Sequence, residues 1–276
     1  MRFNSAQIQK IGKEIRGKVD GKTLFDEFSR GRYSTDASVY QIKPLGVVLP
    51  KDTNDVLSLM EYSQKNSVPL LARGGGSSQC GQTVGESVVL DYSKHQNKIL
   101  ELNVEEKYVW VQPGVVLDHL NAYLKPHGLW FPVDVSTSSR ATIGGMSANN
   151  SCGSRSLYYG NMVHNVLAIE AILDDGSIFN FDQINKNYLA TKNNQDRLYK
   201  IIDKFIDVRQ KVGSEIDANW PTTQRRVGGY NIDLIDPEGF NSSNLLVGSE
   251  GTLSLFNKIK LKLSKIPENK ILGVCY

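Results

Sequence analysis

The run Arg73-Gly74-Gly75-Gly76-Ser77-Ser78-Gln79-Cys80-Gly81-Gln82 constrains the chain most, because it follows directly on VPLLA, a short apolar segment that reads as a strand. Three successive residues without Cβ let the backbone turn tightly and let its N–H groups converge on an anion, while Ser77 and Ser78 add hydroxyl donors. A strand that empties into such a loop has the makings of a diphosphate cradle. A tightly packed or flexible turn uses the same glycines, so this loop alone leaves both readings open. Two common nucleotide loops are excluded on spacing. There is no G-x-G-x-x-G, and Gly21-Lys22-Thr23 lacks the upstream glycine and strand of a P-loop.

Two further stretches carry the same ingredients. PVDVSTSSRATIGGM, residues 132–146, combines small hydroxyl side chains with a glycine pair, and SANNSCGSRSLYYGNMVHNV continues the pattern. Such residues offer backbone and side-chain hydrogen bonds to a large, flat ligand with polar edges. Small-residue loops in separate parts of the chain imply an extended ligand lying across the body.

Around these loops the sequence is that of an ordinary globular chain. Of 276 residues, 40% are hydrophobic and 22% charged, with a formal charge of +3. That near-balance excludes a disordered polyelectrolyte and gives no electrostatic reason to expect nucleic acid or a polybasic membrane contact. MRFNSAQIQKIGKEIRG has neither an uninterrupted apolar core nor a small-residue cleavage site, so no secretory leader is expected. The apolar run at 166–173 is too short to span a bilayer and contains Glu170. Cys80, Cys152 and Cys275 form no CxxC pair and have no histidine at metal-ligand spacing, which fits a reducing compartment and no metal site. Cys80 and Cys152 each lie in a Gly/Ser-rich turn, as small neighbours of a ligand or as free thiols.

Periodicity predicts an α+β chain. Ile8, Ile11 and Ile15 recur at helical spacing in an N-terminal arm over residues 1–40 that wraps a body. GVVLP reads as a strand, TNDVLSLMEYSQKN as a helix capped by Thr53 or Asn54, and VPLLA and SVVLDYS as strands on either side of the glycine loop. KYVWVQPG and the helix marked by Leu117, Leu120 and Leu124 open a second α/β unit, with the boundary near residue 103. NVLAIEAILDDGSIFNF reads as a hairpin around DDG. Leu198, Ile201, Ile202, Phe205 and Ile206 make a helical packing stripe within 185–220, and KIKLKLSKIP alternates as a strand.

PLLARGGGSSQCGQ, WFPVDVSTSSRATIGGMSANNSCGSRSLYYGNMVHNV and LLVGSEGTLSLF together resemble the FAD-binding domain of the vanillyl-alcohol oxidase superfamily, the PCMH-type fold, and within it the FAD-linked D-lactate, glycolate and D-2-hydroxyglutarate dehydrogenases. The resemblance spans residues 41–267. It implies two packed α/β subdomains, 41–103 and 104–267, that hold FAD between them, with 268–276 as the start of a truncated substrate domain. Carried over residue by residue, it places Arg73, Gly74, Gly75, Gly76, Ser77 and Ser78, with Gly81 and Gln82, in the first pyrophosphate and ribose loop. Pro132, Asp134, Ser138, Thr142, Gly144 and Gly145 fall in the loop for the diphosphate and isoalloxazine edge. Ser151, Gly153, Ser154, Tyr159 and Gly160 extend that contact, and Gly248, Glu250 and Gly251 lie in the late motif that returns to the flavin. Ser77 occupies the place where some relatives carry a flavin-linked histidine. Serine cannot form that bond, so the implied cofactor is non-covalent FAD.

The activity implied is oxidation of a D-2-hydroxy acid to the 2-oxo acid, with electrons passing through FAD to a separate acceptor, in the cytoplasm or at the membrane periphery. The resemblance names no catalytic residue here, because complete relatives draw their active-site histidine and carboxylate-binding cations from a C-terminal substrate domain. The alternative is a noncatalytic FAD-binding subunit or fragment that needs a separately encoded substrate-domain partner. Arg140 and Arg155 can each neutralise a phosphate or acidic substrate, or form a surface pair. Arg225 and Arg226 either approach the flavin face or stay solvated. Of the four histidines, His164 alone follows a small-residue loop, and none of His95, His119, His127 and His164 reads as a persuasive catalytic base.

Overall fold

The computed structural model describes residues 3–185, 197–269 and 271–274. The arm begins with α1 (Ser5–Arg16), closed at its start by reciprocal bonds between Asn4 and Gln7, the Asn4 side chain accepting from the Gln7 N–H at 2.9 Å. Its Ile8, Ile11 and Ile15 are buried as the spacing predicts. The arm does more than wrap. Its strand β1 (Lys22–Leu24) pairs antiparallel with β2 (Gly46–Leu49) and so becomes the edge of the first sheet, before the short helix α2 (Glu27–Arg32).

Helix α3 (Thr53–Asn66) crosses from β2 to β3 (Leu70–Arg73), and β4 (Val88–Asp91) inserts between these two, parallel to both. The sheet order is β1-β2-β4-β3. β2 and β4 are buried along their whole length, as expected of parallel strands covered on both faces. The cap of α3 is Asp52, whose carboxylate accepts from the Asn54 and Asp55 N–H groups. Thr53 and Asn54, the capping residues expected from sequence, instead lie inside the first turn. Asp52 has the extended backbone of a cap residue, which lets its side chain turn back onto both donors.

The second sheet is antiparallel. β5 (Ile99–Asn103) and β6 (Tyr108–Val111) lead to α4 (Leu117–Leu124) and to β7 (Leu129–Trp130); three short helices follow, α5 (Ile143–Asn149), α6 (Ser156–Tyr159) and α7 (Met162–Asn165). β8 (Val166–Ile172) and β9 (Ile178–Phe181) form the expected hairpin, with Gly176 at φ 81° in its turn. β10 (Gln183–Asn185) pairs with β11 (Gly239–Asn241) across the helix α8 (Arg197–Asn219). β12 (Leu255–Lys262) then slots between β6 and β8, giving the order β5-β6-β12-β8-β9, and β13 (Ser264–Lys265) returns to β7. β5 pairs only with β6, so the change of sheet falls between Asp91 and Ile99, upstream of the boundary near 103 expected from sequence. Its mixed pattern of partly buried and exposed residues hides it from an alternation test.

Each sheet has its own apolar core, but Ile172 and Leu255 of the second sheet pack into the core of the first. Across the same seam the Thr53 hydroxyl donates to Asn257 Oδ1 at 2.7 Å, and the Gln64 side-chain amide donates to the Asp174 carbonyl. The result is the α+β arrangement of two packed subdomains that the PCMH-type resemblance implies. Leu198 and Ile202 of the α8 stripe are buried; the part of that expectation on residues 186–196, like Cys275, lies outside the described residues. Among the described residues, no helix is long and apolar enough to cross a membrane.

Candidate functional site

A cleft of about 460 Å³ opens between the two sheets where β3 ends. Its first wall is the glycine loop. A Cβ on Gly74 would stand 2.0 Å from Thr142 Oγ1, and one on Gly75 would stand 2.3 Å from the Arg140 carbonyl oxygen. The first and second small-residue loops therefore cross in backbone contact, which is the physical reason glycines stand at these two positions.

The two loops differ in what their amides do. In the second, Ile143 N–H donates to the Val115 carbonyl and Gly144 N–H to the Pro113 carbonyl, both at 2.8 Å, while Thr142 Oγ1 accepts from Gly145 N–H at 3.4 Å. In the first, the N–H groups of Gly75, Gly76, Ser77, Ser78 and Gln79 donate to no acceptor among the described residues. Five successive residues with uncommitted donors line one side of a cleft. That is the arrangement that solvates an anion by backbone dipoles.

The late motif closes the opposite side. Gly248 N–H donates to the Ser147 carbonyl at 3.0 Å and Glu250 N–H to the Ala148 carbonyl at 2.9 Å, so this segment is laced to α5. Glu250 has φ 52°, in the left-handed region. Its Oε1 accepts from Asn149 Nδ2 at 2.9 Å and from Gln82 Nε2 at 3.5 Å, and Gln82 in turn meets the Ser78 hydroxyl. One carboxylate thus ties the glycine loop, α5 and the late motif into a ring. Arg73 and Glu250 are the only charged side chains lining the cleft among the described residues.

Of the residues expected at the site, Arg73, Gly74, Gly75, Gly76, Ser77, Ser78, Gln82, Thr142, Gly144, Gly145, Ser151, Glu250 and Gly251 line the cleft. Gly81, Pro132, Asp134, Ser138, Gly153, Ser154, Tyr159, Gly160 and Gly248 do not line it. Several of these brace it from behind. The Asp134 carboxylate accepts from the Ser154 hydroxyl at 2.8 Å and the Arg155 N–H at 3.0 Å, and Tyr159 stacks edge-on against Trp130 at 5.5 Å. The guanidinium of Arg73 is committed to three backbone carbonyls and not to the cleft interior.

The arginines left open by sequence have partners elsewhere. Arg155 lies over the Trp130 ring at 4.6 Å, Arg225 donates to the Gly153 carbonyl at 2.9 Å, and Arg226 pairs with Asp233 beside Trp220. Arg140 is exposed and meets the glycine loop through its carbonyl. His95, His119 and His127 are exposed, while His164 Nδ1 accepts the Asn161 N–H at 3.0 Å within α7. Burial, with Arg226 nearby, holds the His164 imidazole below its ordinary pKa. No histidine lines the cleft among the described residues.

Sequence reasoning missed Pro113, Val227 and Phe256, which complete the cleft walls. Val227 borders the Gly228-Gly229 pair and Phe256 ends the LLVGSEGTLSLF motif, both visible signals, whereas Pro113 belongs to a strand-like run and carries none. Cys80 and Cys152 both line the cleft and are free thiols, the first exposed and the second half-buried.

Fold and site together define an α+β domain of two packed subdomains with a glycine-lined cleft between them. Residues 44–182 match the FAD binding domain family, and the chain belongs to that family. It is 35% identical over 252 residues to the D-2-hydroxyglutarate dehydrogenase of Haemophilus influenzae, covering 87% of this chain and 24% of that protein. It is 34% identical to the Escherichia coli protein of the same name, covering 93% of this chain and 26% of that one. With the glycolate oxidase subunit GlcD of Bacillus subtilis the identity is 31%, over 95% of this chain and 47% of the relative. The chain thus spans about a quarter of the D-2-hydroxyglutarate dehydrogenases it matches. Among solved structures, an alkyldihydroxyacetonephosphate synthase superposes with a TM-score of 0.67 at 18% identity, covering 95% of this chain and 41% of that one, a likeness of fold. The residues present fit the family's cofactor. The uncommitted amides of 75–79 suit its diphosphate, and Ser77 offers no imidazole for a covalent link, in keeping with non-covalent FAD.

Proposed function

We propose that this chain is the FAD-holding part of a D-2-hydroxy acid oxidoreductase, and that it holds the cofactor without completing the substrate site. The observation that carries the reading is the row of uncommitted amides on the glycine loop, facing a late motif that a single carboxylate ties back to it. FAD, when bound, supplies the two-electron acceptor for oxidation of the alcohol. The chain's own residues do the rest of the work of retention. Amides of 75–79 bind the diphosphate, and Glu250 fixes the spacing of the loops through Gln82 and Asn149. The crossing of loops at Gly74 and Gly75 packs the glycine loop against residues 140–142.

Oxidation of a 2-hydroxy acid further needs a group that takes the hydroxyl proton and a cation that fixes the carboxylate. The two charged side chains of the cleft, Arg73 and Glu250, are engaged in holding loops. In this reading the substrate groups are contributed by a further domain of the same longer chain or by a separate partner. D-2-hydroxyglutarate and glycolate, for which relatives are named, and D-lactate are the acids to test.

The purified chain is expected to take up FAD in preference to FMN and to release it unchanged on denaturation. Anaerobic reduction of the flavin by these acids is expected only with the longer protein or the partner present. Absence of flavin bands at saturating FAD would overturn the cofactor reading. Stoichiometric reduction in the isolated chain would overturn the need for further substrate groups.

A further inference from the structure

Residues 33–42 precede the family match at 44–182, yet they sit directly behind the glycine loop. Arg73 joins the two. Its Nη2 donates to the Thr35 carbonyl at 2.8 Å, and its Nη1 donates to the Thr83 carbonyl at 3.1 Å and the Tyr33 carbonyl at 3.4 Å. The guanidinium lies 5.3 Å from the Tyr33 ring centroid, under Gly76, where a Cβ would stand 2.4 Å from Nη2. Asp91 and Asp36 are the nearby opposing charges.

The contacts continue along the loop. Tyr33 donates its hydroxyl to Asp91 Oδ2 at 2.6 Å, at the end of β4. Thr83 donates its hydroxyl to Asp36 Oδ2 at 3.0 Å, and the Tyr40 ring packs where a Cβ on Gly81 would stand, 2.7 Å away. The segment itself is held by a Thr35–Gln41 bridge and by the Ile42 N–H on the Ser34 carbonyl at 2.9 Å. The amides of 75–79 have no bonds of their own among the described residues, so this outer segment, with the Arg140 and Glu250 contacts on the other side, holds the loop's shape.

We propose that Arg73 is a positioning residue that clamps the glycine loop to residues 33–42, making that segment the outer wall of the cofactor cleft. Its positive charge is matched by Asp36 and Asp91, and its planar fork is filled by carbonyls, a use that lysine copies only in part. The clamp deepens the FAD reading above, because it acts on the cofactor through the shape of the loop and without contact to a phosphate.

Removing the Asp36 carboxylate separates a clamp from a phosphate ligand. Asp36 does not line the cleft. If Arg73 bound the diphosphate directly, Asp36→Ala would remove a competing anion and tighten FAD. If Arg73 is a clamp, Asp36→Ala loosens Thr83 and weakens FAD. Arg73→Met is expected to weaken FAD by about tenfold to a hundredfold, the range for losing bonds to a charged group, with Arg73→Lys recovering part of the loss. In the cofactor-free protein, backbone order parameters of residues 75–79 from ¹⁵N relaxation are expected to fall from about 0.85 towards 0.6 in Arg73→Met and Asp36→Ala. Tyr33→Phe, which removes only the bond to Asp91, gives a smaller shift in the same direction and serves if the stronger variants fail to fold. Tighter FAD in Asp36→Ala, or unchanged order parameters in all the variants, overturns the clamp. Failure of the unmutated protein to bind FAD would overturn the functional reading and leave the order-parameter test of the clamp intact.

Discussion

Gly75→Ala is the sharpest perturbation of the site. The added methyl would stand 2.3 Å from the Arg140 carbonyl oxygen and 3.0 Å from its carbon, against 3.4 Å where ordinary contact begins. The loops must therefore part by about 1 Å, since the obstruction is backbone and overpacking is relieved only by such movement. The Arg140 carbonyl cannot swing aside easily, because the Arg140 and Ala141 N–H groups both donate to the Thr137 carbonyl at 2.8 Å and fix that turn. Overpacking of this kind costs about 1–3 kcal/mol. If the loop stays in place, the cost appears as lost stability. If it moves away, the cost appears as lost FAD affinity, because the amides of 75–79 leave their aligned positions. The two losses together should reach about 1 kcal/mol or more, so a variant with native stability should bind FAD at least about fivefold more weakly. Urea unfolding of the cofactor-free chain gives the first quantity and quenching of flavin fluorescence the second. Gly31→Ala in α2 is the control, since it has nothing within 4 Å and should gain about 0.5–1 kcal/mol from helix propensity. Native FAD affinity and a native urea midpoint in Gly75→Ala would refute the loop crossing.

Three other outcomes follow from particular contacts. Cys80 and Cys152 line the cleft, so both should react with a thiol-specific disulfide reagent in the cofactor-free chain and be slowed by saturating FAD; equal rates with and without FAD would remove the ligand from that cleft. His164 is held below its ordinary pKa of 6.5 by burial, so the unfolded chain binds its proton first as pH falls: stability is full above pH 6.5 and declines below it, and His164→Gln should flatten this part of the profile of urea midpoint against pH. Asp52→Ala removes the cap of α3 and should cost about 1 kcal/mol in urea unfolding, with Asn54→Ala nearly neutral.

The sequence was most legible where geometry leaves one residue type. Gly74 and Gly75 stand out because the chain crosses itself there, and the buried strands β2 and β4 show as continuous apolar runs. The helix marked by Leu117, Leu120 and Leu124 and the hairpin at Gly176 were read for similarly local reasons. What stayed hidden depends on partners far along the chain. The resemblance places Arg73 in the pyrophosphate loop, but besides Thr83 its bonds run to Tyr33 and Thr35, 40 and 38 residues away. The Glu250 bridge reaches back 168 residues to Gln82 and 101 to Asn149. β5 carries no strand signal because it is a sheet edge and its side chains show no clean alternation. Asp52 is hard to single out in sequence because it stands one residue ahead of a threonine and an asparagine that are also good caps.

The position of β12 bears on how the protein is made. This strand lies between β6 and β8 in space yet is synthesised after both, so two hydrogen-bonding edges stay bare while the ribosome adds the residues between 172 and 255. Nascent chains interrupted anywhere in that interval would carry a split sheet with an open slot, a species prone to stick to its own kind and a natural client for chaperones. Translation pauses ahead of residue 255 should then lower the yield of native protein far more than pauses after 262.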